Sequence, residues 1–163
     1  ATWYPNDTLE INYGESVVGL RWMGPLPTPP YELSLQARRT DGVDFFCGLT
    51  FPVRAPDENV TLILGGWGGA QVGISSVDDL DATQNQTAQI IAFKQGQWQD
   101  IHLTVSTTHI KVRLNNQQII NLPLEGKTLS LRPGPIESYI PLSLTTFQTT
   151  AEFKNLTWRQ LKN

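Results

Sequence analysis

Three observations predict an all-β fold, a two-sheet antiparallel sandwich with very little helix. Apolar residues recur at every second position in segment after segment. No window of a dozen residues shows a convincing 3.6-residue repeat, and the 11 Pro and 13 Gly are scattered at segment ends as turn punctuation. Taken in order, Val18, Leu20 and Trp22 share one strand face. Gly24-Pro25-Leu26-Pro27-Thr28-Pro29-Pro30 cannot pair inside a sheet, because each Pro lacks its donor, and is expected to be a crossing loop. Tyr31, Leu33, Leu35 and Ala37 then alternate with Glu32, Ser34, Gln36 and Arg38, which predicts a half-buried strand.

On the strand from Phe45, the odd residues Phe45, Cys47, Leu49 and Phe51 form an apolar face. The even residues Phe46, Gly48 and Thr50 are expected on the outer surface. Val60, Leu62 and Leu64 predict a further strand, which Gly65-Gly66 ends before a short strand around Val72–Ser75. Ile101, Leu103 and Val105, then Ile110, Val112 and Leu114, then Gln118–Leu122 predict a three-stranded meander. Its second turn falls at Asn115-Asn116, residues that tolerate positive φ. Pro141–Phe147 and Thr149–Trp158 read as two last strands. Ala151 and Phe153 differ in parity from Leu156 and Trp158, so a bulge near Asn155 is expected to return them to one face. Roughly ten to twelve short strands require two stacked sheets, because a flat single sheet would leave an apolar face in water.

With 163 residues, 39% hydrophobic and 17% charged, the chain is expected to fold as one β-sandwich domain over 1–163 rather than remain disordered. The 12 Lys+Arg against 15 Asp+Glu give a net charge of −3 and no basic field for nucleic acid, and no apolar run is long enough for membrane insertion. One Cys and 2 His supply neither an internal disulfide nor a closed four-ligand zinc site. The chain begins at Ala1 rather than Met, as expected of a processed precursor or a piece of a larger multidomain polypeptide. Asn6, Asn59, Asn85 and Asn155 each open an N-x-T triplet, a pattern frequent by chance in a Thr-rich sequence.

The central third carries Gly42-Val43-Asp44-Phe45-Phe46-Cys47-Gly48-Leu49-Thr50-Phe51-Pro52, then Gly65-Gly66-Trp67-Gly68-Gly69, then Val72-Gly73-Ile74-Ser75-Ser76. With Gly96-Gln97-Trp98 and the Asn115-Asn116 hairpin, these strings resemble the concanavalin-A-like jelly-roll family labelled 3-keto-disaccharide hydrolase, most strongly over 31–158. The Trp98 meander is shared with many laminin-G-like sandwiches. The resemblance implies two curved antiparallel sheets and an extracytoplasmic (secreted or periplasmic) bacterial setting. It also implies work on glycans, as hydrolase, lyase or accessory binding module.

Trp67 between two Gly pairs offers either an open indole face, on which a sugar can stack, or a plug for the end of the core. The expected carbohydrate-binding surface comprises Trp67, Phe46, Asp44, Asp81 and Asn85, an aromatic platform with polar groups that grip hydroxyls. Trp98 is expected at a rim with a structural role. Cys47 is expected to be an inert core thiol. The Asp78-Asp79-Asp81-Asn85 loop is a candidate for a structural calcium, but its spacing is not that of an EF-hand and hydration is favoured, so no cofactor is expected.

Glycoside hydrolysis requires two carboxylates about 5–10 Å apart. No predicted strand carries paired acids, so no catalytic residue is assigned. The expected function is a carbohydrate-binding module accessory to glycan degradation, with a poly- or oligosaccharide partner. One alternative is an enzyme acting on 3-keto-disaccharides by proton abstraction, with Asp44, Asp81 or His102 as base. The other is a structural or adhesive domain that contacts protein.

Overall fold

The computed structural model describes residues 1–162. The chain runs through β1 (Thr2–Trp3), β2 (Leu9–Ile11), β3 (Val17–Arg21), β4 (Tyr31–Gly42), β5 (Cys47–Pro52), β6 (Asn59–Gly66) and β7 (Gln71–Ser75). It continues through β8 (Gln89–Ile90), β9 (Gln99–Val105), β10 (His109–Leu114), β11 (Gln117–Pro123), a 3-10 helix (Pro135–Tyr139), β12 (Ser143–Phe147) and β13 (Thr149–Gln160). A seven-stranded sheet has the order β1-β2-β13-β4-β9-β10-β11 and a six-stranded sheet the order β3-β12-β5-β6-β7-β8; the strand pairs are antiparallel.

Period-two chemistry builds both layers. On β4 the buried residues Tyr31, Leu33, Leu35, Ala37 and Arg39 alternate with half-buried ones, and β9 and β10 repeat the pattern. These side chains meet Cys47, Leu49, Phe51, Val60, Leu62, Leu64, Val72 and Ile74 of the opposite sheet in one continuous core. At about 25 cal/mol per Å² of apolar surface, that interface is the main favourable contribution to folding. The Pro-rich loop crosses from β3 in one sheet to β4 in the other, as its missing donors require. Asn115 and Asn116 both take positive φ, 51° and 67°, and turn β10 into β11.

Two expectations are modified. β3 is an edge strand paired with β12 alone, so Leu20 and the following Trp22 remain 38% and 46% exposed, and only Val18 of that trio packs on the core. The register of β13 slips between Lys154 and Thr157, with Asn155 at φ 55°, so the bulge is present. It returns Trp158 to the core and leaves Leu156 in solvent. Trp98 takes its rim position under two cations, with Arg38 4.5 Å and Lys154 4.1 Å from the ring centre. Among the sequon residues, Asn59 and Asn85 are buried.

Arg39 follows the apolar residues of β4 inward and is 7% exposed. Its Nε donates to Gln95 Oε1 at 2.8 Å, Nη1 to Asp44 O at 3.0 Å and Gly69 O at 3.4 Å, and Nη2 to Phe93 O at 3.4 Å. Burial lowers its pKa, and the Asp44 charge partly opposes that shift. We predict that Arg39→Met lowers stability by about 3 kcal/mol, because carbonyls buried around the guanidinium lose their donors. Urea unfolding measures the loss, and a change under about 1 kcal/mol would show that these acceptors rehydrate freely.

Cys47 and Tyr31 lie in the core, and the Tyr31 hydroxyl donates to Pro52 O at 2.5 Å. Burial pushes the Cys47 thiol up to about 12 and also raises the Tyr31 phenol. A raised folded-state pKa means that above about pH 9 the unfolded chain releases a thiol proton that the folded chain keeps. Stability is then expected to fall from pH 9 toward pH 12. The urea midpoint of Cys47→Ala should drop less between about pH 8 and pH 10.5 than that of the parent, and native Cys47 should resist thiol reagents until denaturant is added.

Candidate functional site

The even positions of β5 face away from Cys47, Leu49 and Phe51, yet Gly48 and Thr50 are also buried. The cover is the segment 127–141. Ser76 and Ser130 exchange backbone hydrogen bonds of 2.6 and 3.2 Å, Asp78 N donates to Thr128 O at 2.8 Å, and the Tyr139 hydroxyl donates to Val17 O at 3.4 Å. Beneath it the strand register aligns a polar row, Arg21, Ser143, Thr50, Thr61 and Ser75. Thr50 and Thr61 share a 2.7 Å hydrogen bond between their hydroxyls.

The next row is Gly19, Thr145, Gly48, Ile63 and Gly73. Small residues are required here. A Cβ on Gly48 would sit 2.9 Å from the Phe45 ring and 2.4 Å from Thr145 Oγ1, and one on Gly73 would sit 2.9 Å from Ala82 O. Phe45 therefore lies down on the sheet over Gly48, stacked on Phe147 with ring centres 6.1 Å apart.

This layer leaves a half-open groove of about 80 Å3 along the β6–β7 hairpin, from the Thr61–Ser75 pair to the turn. Val17, Phe45, Thr61, Ile63 and Ser75 line it from the sheet, the Pro133–Ile136 strap lines it from the other side, and Trp67 and Arg132 complete the lining. The volume suits the edge or a substituent of one small ring, so the remainder of a larger ligand would extend over Trp67. Among the described residues, the lining carries no carboxylate, imidazole, thiol or amide side chain.

Trp67 is the first central residue of the turn from β6 to β7. Gly69 N donates to Gly66 O at 3.1 Å, and Trp67 and Gly68 have φ of 46° and 93°, the two positive values of a tight hairpin turn. For a bulky side chain this left-handed position costs about 1 kcal/mol. It holds the indole out of the core, 43% exposed. Asp44 braces the turn, its Oδ1 accepting from Phe45 N at 2.8 Å and its Oδ2 from Gly68 N at 3.3 Å. The Arg132 guanidinium carbon lies 5.3 Å from the Trp67 ring centre, and its Nε is 3.8 Å from Asp81 Oδ2.

Trp67, Asp44 and Asp81 thus meet around one turn. The other two residues expected in the site do not join them. Phe46 is 1% exposed and belongs to the core, which corrects its expected place on the outer surface. The chain has not yet entered the regular alternation of β5 there. Phe46 N donates to Leu64 O at 3.2 Å, and its ring packs edge-on against Phe93 at 5.0 Å, under Arg39. Phe45 takes the outer place.

Asn85 is 8% exposed and pins the acidic loop from inside. Its Nδ2 donates to Ile74 O, Leu80 O and Asp81 O at 2.6, 3.0 and 3.0 Å, and its Oδ1 accepts from Thr87 N and Oγ1 at 2.9 and 2.5 Å. Asp78 and Asp81 of the same loop are engaged locally. Asp78 accepts from Thr128 N and pairs with Lys127, and Asp81 Oδ1 accepts from Thr83 N and Oγ1. These bonds hold Asp78 below the usual carboxylate range, the Thr128 amide first and Lys127 second. Among the described residues no three of His, Cys, Asp and Glu are grouped as metal ligands would be.

His102 lies on the other sheet. Its Nδ1 is 2.8 Å from Ser34 Oγ and its Nε2 3.1 Å from Glu32 Oε2, in a polar cross-strand row that Arg159 extends through Glu32. The sequence reading missed Phe45 and Arg132. For Arg132 the available signal was its place before Pro133-Gly134-Pro135, a rigid string that fixes a side chain at its border.

Solved structures share this architecture at low identity. A protein from a study of the endo-acting O-glycanases with which human gut microbiota initiate mucin breakdown matches with a TM-score of 0.63 at 10% identity, over 97% of this chain and 81% of its own. A candidate glycosyl hydrolase from Parabacteroides distasonis gives 0.56 at 14% identity, over 98% and 83%. The carbohydrate-binding module CBM66 from Bacillus subtilis gives 0.52 at 10% identity, over 94% and 95%. No curated protein matches the sequence at a significant level. At these identities the structures speak for the fold alone, a two-sheet β-sandwich. The family assignment comes from the sequence itself: residues 10–159 match the profile of the 3-keto-alpha-glucoside-1,2-lyase-like domain, and the chain belongs to that family.

Proposed function

We propose that this protein is a carbohydrate-binding module accessory to glycan degradation, acting outside the cytoplasm, with Trp67 and its groove as the binding site. One observation carries the reading: a half-exposed indole, held in a left-handed turn, borders a groove lined by apolar side chains and hydroxyls. A strained position that presents a side chain to solvent gains nothing for packing, so its use is sought in a ligand. Aromatic faces that carry a sugar ring, with hydroxyls behind, are the chemistry of carbohydrate sites.

The family match favours a second reading, elimination on a 3-keto-glucoside. That reaction needs a base beside the abstracted proton. Asp44 is bonded to two backbone amides, Asp81 to Thr83, and His102 belongs to the opposite sheet, so none of the three lines the groove. Binding without turnover is the better fit.

Affinity electrophoresis and calorimetry against a polysaccharide panel test the proposal. Trp67→Ala should weaken binding at least about tenfold, the effect of losing roughly 1.4 kcal/mol of stacking. Its melting temperature should stay within a few degrees of the parent. Unchanged binding, or unfolding on that change alone, would remove the proposal's support, and turnover of a 3-keto-glucoside by the purified protein would replace it with the lyase reading.

A further inference from the structure

Resting on the carbohydrate-binding reading, we infer that the groove takes a sugar bearing an anionic group, a carboxylate or a sulfate, which Arg132 receives beside Trp67. Arg38, Arg39, Arg54 and Arg159 are engaged within the protein, and Arg21 and Arg113 are exposed outside the groove. Arg38 meets Glu152 through Nε at 2.9 Å and Nη2 at 2.7 Å, Arg54 meets Glu58 through two nitrogens at 2.9 Å each, and Arg39 is buried among carbonyls. Arg132 differs from them. Its side chain is 58% exposed, and its ion-pair partner Asp81 stands 3.8 Å away with the other carboxylate oxygen already occupied by Thr83. The planar fork therefore keeps donors free at the mouth of the groove, where it can take two oxygens of one anion at once.

Position and lining support the same chemistry. The guanidinium is held over the Trp67 ring, 5.3 Å from its centre, and the Pro133-Gly134-Pro135 backbone that follows restricts where it can go. A ring resting on the indole edge would place a substituent at Arg132. A neutral sugar would find little to grip it: the groove lining offers the hydroxyls of Thr61 and Ser75 but no carboxylate or amide side chain, the groups that hold sugar hydroxyls in pairs. The groove of about 80 Å3 accepts a substituent more readily than a whole oligosaccharide. The net charge of −3 provides no general attraction for polyanions, so any affinity for one must be local.

The test compares polygalacturonate with its fully methyl-esterified form, which keeps the sugar and removes the charge, and dextran sulfate with dextran. The expected result is binding to a charged polymer at least tenfold tighter than to its uncharged counterpart, weakened by raising NaCl. In Arg132→Gln the preference should be lost, while Arg132→Lys retains part of it. Preference for polygalacturonate identifies the anion as a carboxylate and preference for dextran sulfate identifies it as a sulfate. Trp67-dependent binding with no preference for charge overturns this inference and leaves the binding function standing. A preference that survives in a folded Arg132→Gln also overturns it. Failure of the parent protein to bind any charged or neutral polysaccharide overturns the binding function itself.

Discussion

Arg39 is the tie on which the site depends. At the end of β4, apolar packing alone would leave the carbonyls of Asp44, Gly69 and Phe93 without donors. One guanidinium supplies them all, together with the Gln95 side chain. A lysine would not serve, since three donors on a point charge cannot reach acceptors spread around a plane. Gln95 extends the tie by donating to Gly42 O at 3.1 Å, so the last residue of β4, the strand opening before β5 and the turn after β6 are fixed relative to one another. Trp67 can occupy a costly left-handed position because the two residues that follow it are held, Gly68 by Asp44 and Gly69 by Arg39.

A second constraint comes from the layer above the six-stranded sheet. Sandwiches bury one face of each sheet, yet this one buries both faces of β5, β6 and β7. The row of glycines lets Phe45 and Ala82 descend onto the sheet, and Thr50 and Thr61 satisfy each other's hydroxyls across strands. The result is a shallow groove in place of an open platform, bordered at one end by the β6–β7 turn.

The sandwich was legible wherever one face of a strand meets water. β4, β9 and β10 show their burial as alternation, and the parity change at Asn155 announced the bulge of β13. Where both faces are buried, alternation loses its meaning, and Phe45-Phe46 was read in the wrong phase for that reason, although Cys47 was placed correctly in the core. Parity also assumes that a strand has already begun, and β5 begins one residue after Phe46. Within the site, Trp67 was marked by the glycines around it, and Asp44 and Asp81 were reached through the loops that flank it. Asn85 was indistinguishable from a ligand-facing amide, because a side chain that caps buried carbonyls and one that binds hydroxyls have the same composition. Arg132 lies more than 60 positions from Trp67 along the chain, and only tertiary structure brings a cation to an indole over that separation.

The strap that roofs the groove carries little of the fold's weight. None of the residues in its 3-10 helix is buried, and Gly134 before it has open space where a side chain would go. The floor tolerates almost no change, since added atoms at Gly48 or Gly73 collide with what lies above. The molecule thus separates a fixed half of the groove from a rewritable one. Substitutions in 133–139 can reshape what fits against Trp67 without disturbing the core, so related proteins built on this plan are expected to vary in the roof while keeping the floor unchanged.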